Sequence, residues 1–225
     1  MTEIEYKENK YDFDAWRVLL FWIMAPILSF VFFYLTKYFW FWTHGPVVKQ
    51  TVWLGNLIIK DAPFGWELNT FVPKFHNLRE LFAIDISGYS FTVVGYADIG
   101  FTTMCTGVQA IAIFAGLILM IPHSKNDKVN KTIWWRKLLS LIVSSLIFYI
   151  VNIARMILQI GLYYNGWNWD DIHVSISAAS SFIAALIIIL MHRWIPEFII
   201  SIIWTLGELK QFFINLKIRK TPVKI

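Results

Sequence analysis

Four long apolar runs constrain this chain more than any other feature: Val18–Thr36, Met104–Ile121, Leu138–Tyr164 and Val174–Met191. The hydrocarbon core of a bilayer takes about 20 apolar residues of helix, so each run reads as a membrane span. Only 16% of the residues are charged and 57% are hydrophobic, whereas soluble domains carry roughly 25% charge. The expected fold is therefore an all-α polytopic membrane protein. It has four to five transmembrane helices, amphipathic helices and a small extracytoplasmic β-hairpin segment. No small-residue cleavage site follows the first run, which is read as an anchor and not as a removed signal peptide. The net charge of +5 does not point to nucleic acid, because the basic residues lie beside apolar runs, as the positive-inside rule requires.

The loops set the expected orientation. The segment His123–Lys137 holds Lys125, Lys128, Lys131, Arg136 and Lys137, and the C-terminal segment holds Lys210, Lys217, Arg219, Lys220 and Lys224. Tyr163–Ile172 holds Asp170 and Asp171 and no Lys or Arg. Basic loops face the cytoplasm. The chain then divides, within one membrane domain (1–225), into a cytoplasmic N-terminus (1–17), a first span (18–39), an extracytoplasmic segment (40–103), a three-span core (104–192), and an interfacial helix with a basic cytoplasmic tail (193–225). The sequon Asn130-Lys131-Thr132 opposes this orientation, because a glycan requires an outer loop; the charge distribution is weighted above it. Phe198, Ile202, Leu206, Leu209 and Phe213 form a helical stripe, read as an amphipathic helix on the inner surface. Val47–Ile59 carries Lys49 and is read as an outer-surface helix, with a fifth span as the alternative. In Phe82–Gly100, alternation on both sides of Ser87-Gly88 suggests a β-hairpin turning there.

Three chemically capable residues fall at one depth. Cys105, the single cysteine, lies at the outer end of the second run. Arg155 lies 17 residues past Leu138, about 26 Å along a helix. His173 immediately precedes the fourth run. Each has a plain structural alternative: a small apolar filler, a snorkelling cation and an interfacial histidine. Charge inside a span costs at least ~2.5 kcal/mol on insertion scales, so such residues face a partner or a wet cavity. A thiolate is the reactive form of cysteine and neighbouring positive charge favours it. The joint arrangement therefore points to a nucleophile (Cys105), an acid/base (His173) and a cation for the thiolate or an oxyanion (Arg155). Asn152, one turn before Arg155, either hydrogen-bonds into this site or packs helices. Asp170 and Asp171 either orient His173 or contact substrate, or they are solvated loop carboxylates. No two of the five histidines have zinc-ligand spacing, and one cysteine cannot close a thiolate site; no metal and no cofactor is expected.

These residues resemble the motifs of the exosortase/archaeosortase family. "CTGVQA" (Cys105–Ala110) is similar to its Cys-Ser-Gly-Ile motif, with Thr106 for the usual Ser. "NIAR" (Asn152–Arg155) is similar to its Asn-x-x-Arg motif. His173 is similar to the third motif, although the Gly usual near it is absent. The matched region runs from Met104 to about Phe182. The resemblance implies a multi-pass cell-membrane cysteine transpeptidase whose active site faces the extracytoplasmic side. Such an enzyme cleaves membrane-anchored secreted proteins at a C-terminal sorting tail (motif, transmembrane helix, basic cluster). It does so through a thioester and passes the new C-terminus to an acceptor, a membrane lipid being the expected one. The resemblance makes Cys105 the nucleophile, Arg155 the transition-state stabiliser and His173 the acid/base. A non-catalytic scaffold, or a small-anion transporter using Arg155, is the competing reading.

Overall fold

The computed structural model of the protein describes residues 3–59, 64–69 and 87–219. The elements, in chain order, are strands β1 (Ile4–Tyr6) and β2 (Asn9–Tyr11), helices α1 (Ala15–Tyr38) and α2 (Trp40–Ile58), and strands β3 (Phe64–Leu68), β4 (Ser87–Val93) and β5 (Ile99–Thr102). A 3₁₀ turn (Thr103–Thr106) follows, then helices α3 (Val108–Met120), α4 (Asp127–Asn130), α5 (Ile133–Tyr164), α6 (Trp169–Trp194) and α7 (Glu197–Arg219). The described residues are mostly helical, with one two-stranded and one three-stranded sheet among them.

Among the described residues, α1 and α5 are long and apolar enough to cross a membrane. A third span exists if Phe182–Trp194 and Glu197–Asn215, bent by 93° at their break, count as one. The four to five spans read from the sequence are thus met in part. The second apolar run contributes an α-helix of only 13 residues, because Gly107 separates the 3₁₀ turn from α3. The break between α6 and α7 falls at Ile195-Pro196, where proline lacks an N–H and disfavours helix in the residue before it. The Phe198 stripe accordingly belongs to a helix turned away from α6.

Helices α1 and α3 pack closely. A Cβ on Gly116 would overlap Ser29, and the Ser29 hydroxyl lies 2.8 Å from Ala25 O and 3.1 Å from Ile113 O. Small residues and hydroxyls at such a contact let backbones approach. Phe21, Ala25, Phe114, Ile118, Phe148, Ile187 and Met191 fill the middle of the bundle.

One end of the bundle is held by charged groups. The Arg136 guanidinium donates to Glu197 through both terminal nitrogens (2.9 and 2.6 Å) and to the carbonyls of Trp194 (3.2 Å) and Val129 (2.7 Å). Lys137 donates to Leu119 O (3.0 Å) and Ile121 O (2.7 Å), satisfying carbonyls left over at the C-terminus of α3. Lys125 pairs with Asp12 at 2.9 Å. The β1–β2 hairpin lies here too, with Tyr6 against His192 (5.2 Å between ring centroids). The Nδ2 of Asn130, the atom a glycan would occupy, donates to Ser124 O. The N-terminal hairpin, the basic loop and the α6–α7 elbow therefore share one end.

The other end carries the three-stranded antiparallel sheet, ordered β3-β4-β5. Tyr89, Phe91, Val93, Ile99 and Phe101 are buried in one cluster with Val47, Val48 and Val52 of α2. The alternation of Tyr89, Phe91 and Val93 read from the sequence is therefore the buried face. The turn is displaced, however. Ser87-Gly88 lies within β4, and the β4–β5 turn lies at 94–98, where Gly95 has φ 84°. Phe82–Ile86, the expected first strand, lies outside the described residues.

Candidate active site

The 3₁₀ turn carries Cys105, which is 6% exposed. β5 leads directly into it, and the Thr102 Oγ1 lies 3.6 Å from the Cys105 Sγ. Thr106 closes the turn: its hydroxyl donates to Thr103 O (2.6 Å) and accepts from the Val108 N–H (3.1 Å). Gly107 then takes φ 71°, a conformation residues with a Cβ adopt rarely, and α3 begins.

Two side chains of α5 meet this turn. Asn152 Nδ2 donates to the Cys105 carbonyl at 2.9 Å, and Arg155 Nη2 donates to the same oxygen at 3.2 Å. Asn152 is buried, and its amide ties α5 to the main chain of the cysteine's turn. Gly107 makes the approach possible, because a Cβ there would stand 2.8 Å from Asn152 Cβ. The Nε of Arg155 is buried and has no hydrogen-bond partner. Arg155 thus presents one nitrogen to the main chain of the cysteine and keeps another donor unused.

His173 stands apart from this group. It lies in the second turn of α6, which starts at Trp169, and not before the helix as the sequence suggested. Its ring rests beside Trp169 (5.6 Å between centroids, 35°), and its Nδ1 is buried without a partner. No hydrogen bond joins it to Cys105 or Arg155. Arg155 is nine residues before the end of α5 and His173 four residues after the start of α6. Since the helices are antiparallel neighbours, the two sit about 8 Å apart along the helix axes. Asp170 and Asp171 are exposed in the first turn of α6, where Asn168 Oδ1 accepts from both of their N–H groups (2.9 and 3.4 Å). They complement the positive end of the helix and are not brought to Cys105.

Sequence reasoning missed three contributors. Thr102 carries no signal beyond a hydroxyl three residues before the cysteine. Gly107 is visible in "CTGVQA", but its positive φ is not. His44 of α2 is fully buried between Trp40 and Phe101 (ring centroids 6.3 and 5.7 Å), with both ring nitrogens unpartnered. Burial lowers its pKa to about 4, so the ring is neutral. No group of three His, Cys, Asp or Glu among the described residues is arranged to hold a metal ion. No family model, curated protein or solved structure matches the chain.

Proposed function

We propose that the protein is a sortase-like membrane cysteine peptidase/transpeptidase. The observation that carries this reading is the convergence of Asn152 and Arg155 of one helix on the carbonyl of the only cysteine. The pair brings a guanidinium with one unused donor to the turn that carries the thiol. Its substrates are membrane-anchored secreted proteins with a C-terminal tail of recognition motif, transmembrane helix and basic cluster.

In the proposed reaction the Cys105 sulfur attacks the carbonyl carbon of the scissile peptide bond. His173 takes the thiol proton and returns it to the departing amine of the tail. The unpartnered Nε of Arg155 donates to the oxyanion of the tetrahedral intermediate. The thioester is then attacked by an acceptor nucleophile, with a membrane lipid as the expected acceptor, and the thiol is regenerated. His173 must approach Cys105 for this, and catalytic hydrogen bonds often tighten only once substrate is bound.

The membrane frame is part of the proposal. The exposed Trp16 at the start of α1 and the exposed Trp134 and Trp135 at the start of α5 mark one interface, in the manner of an aromatic belt. Thirty ångströms of helix from Trp134 end about 20 residues later, next to Arg155. From Trp16 the same distance ends next to Thr36. Cys105 then lies at the outer boundary of the hydrocarbon. In this frame the 3₁₀ turn and α3 form a second span and α6 a fourth.

The test is replacement in the host. Cys105→Ala and Cys105→Ser are expected to abolish processing, so that precursors with a terminal helix and basic cluster accumulate in the membrane fraction while the enzyme inserts normally. Arg155→Lys keeps charge but loses the planar fork and is expected to process poorly. Normal processing by Cys105→Ala would sink the thiol mechanism. Anion uptake that survives loss of Cys105 and fails with loss of Arg155 would favour the transporter.

A further inference from the structure

Among the described residues, strand β5 is the edge of its sheet: the order is β3-β4-β5, and β5 pairs with β4. Among the described residues, no backbone hydrogen bond reaches Ile99–Thr102 from any other element. An edge strand with an open row of N–H and C=O groups is a template for another extended chain. This edge is unlike that of β3, because β5 runs straight into the 3₁₀ turn and its last residue already touches the cysteine sulfur through Thr102 Oγ1.

The position of β5 along α5 fixes where such a chain would go. Tyr163 donates to Ala97 O just before β5 begins (3.4 Å), and Asn152 donates to Cys105 O just after it ends (2.9 Å). β5 therefore descends antiparallel to the outer part of α5, from the level of Tyr163 to that of Asn152. Tyr163 also meets Trp169 edge-on, and Trp169 lies tilted beside His173 (5.8 and 5.6 Å between centroids). A chain laid along β5 towards Cys105 therefore ends at the level of α5 that carries Asn152 and Arg155. Gly100, in the middle of the strand, is exposed, and glycine within a strand often marks the close approach of a second backbone.

We propose that β5 is the substrate-docking edge. An extended segment of the polypeptide substrate adds to the sheet as a fourth strand, and its main chain is read by β5 so that the scissile carbonyl arrives at Cys105. Main-chain pairing supplies affinity, while alternate side chains supply specificity, as in other strand-addition modes. The proposal rests on the thiol reading above, and it assigns the recognition step to this chain's own backbone.

The test uses the full-length protein in detergent, whose single thiol makes labelling read Cys105 alone. The probe is a tetrapeptidyl chloromethyl ketone library randomised in sequence, compared with the same library N-methylated at its second or at its third backbone amide. Chloroacetamide serves as the reagent without a backbone, and mass spectrometry follows the labelling rates. Pairing along a strand engages alternate residues. Methylation at one position is therefore expected to slow labelling about 3- to 10-fold, the loss of one hydrogen bond, and at the other position hardly at all. Equal effects at both positions, no effect at either, or a library no faster than chloroacetamide overturns the proposal while leaving the thiol reading intact. Failure of chloroacetamide and library alike to label the folded protein removes the thiol reading and this one together.

Discussion

The apposition of the 3₁₀ turn on α5 rests on Gly107, and it can be weighed against an internal control. Gly107 has φ 71° and a Cβ there would meet Asn152 Cβ at 2.8 Å and Cγ at 2.9 Å. Gly95 has φ 84° and nothing within 4 Å of the corresponding point. Gly95→Ala therefore exposes the backbone term alone, about 1–2 kcal/mol for a side chain forced into the left-handed region. Gly107→Ala adds the steric term, about 1–3 kcal/mol for an extra carbon in a packed contact. The variants should then differ by about 1–3 kcal/mol, or roughly 2–12 °C in melting temperature for a chain of this size.

Far-UV circular dichroism during a thermal ramp in detergent reads the difference, since most of the described residues are helical. The expected order of melting temperature is wild type, Gly95→Ala, then Gly107→Ala. Asn152→Gly removes the atom that the new methyl group strikes, so the double variant Gly107→Ala/Asn152→Gly should lose less than the sum of the singles, by about the steric term. If Gly107→Ala melts with Gly95→Ala, or if the double variant is additive, the close approach is not what holds the turn.

Two other perturbations bear on the frame around the site. Glu197 is fully buried and paired with Arg136; removing either partner strands a buried charge, so Arg136→Met or Glu197→Met should cost about 3–5 kcal/mol, and the double variant less than either, as read by thermal unfolding in detergent. His44, with its pKa lowered by burial to about 4 against 6.5, stays neutral in the fold while the unfolded chain takes up a proton. Stability should therefore fall as pH drops from about 6.5 towards 4, by roughly 3 kcal/mol at most. His44→Phe should flatten that limb, and an unchanged limb would place its origin elsewhere.

The apolar runs were legible because a span has to be written as a long uninterrupted stretch; each of the four contains or overlaps a helix of the structure. The pairing of Cys105 with Asn152 and Arg155 was legible for a related reason, since position along a helix converts directly into depth. His173 was placed one turn too early, because its helix starts at the capping Asn168 and hydropathy sees only the apolar part. The hairpin turn was misplaced because Ser87-Gly88 looks like a turn while Phe91 to Phe101 looks nearly continuous; what decides is the register with β3, set by residues more than 20 positions away. The β1–β2 hairpin gave no signal at all. Its turn residues, Lys7 and Glu8, take positive φ without being Gly, Asn or Asp, against the usual chemistry of two-residue turns.

The two motifs that first drew attention have one physical reason for occurring together. At Gly107 the chain breaks between a 3₁₀ turn and an α-helix, and the Val108 N–H is taken by the Thr106 hydroxyl. The carbonyl of Cys105 then needs donors from elsewhere, since a buried carbonyl left unpaired costs about 1–3 kcal/mol. Asn152 and Arg155, one turn apart on α5, supply two. The glycine makes the break and the Asn-x-x-Arg pair fills it. The result is a cysteine whose main chain is fixed from a second helix while its sulfur lies 3.6 Å from the Thr102 hydroxyl. Alanine at position 105 would keep every one of these main-chain contacts, so they hold the turn whatever side chain it carries. What alanine would lose is the sulfur alone, so Cys105→Ala tests the proposed chemistry with the turn left in place.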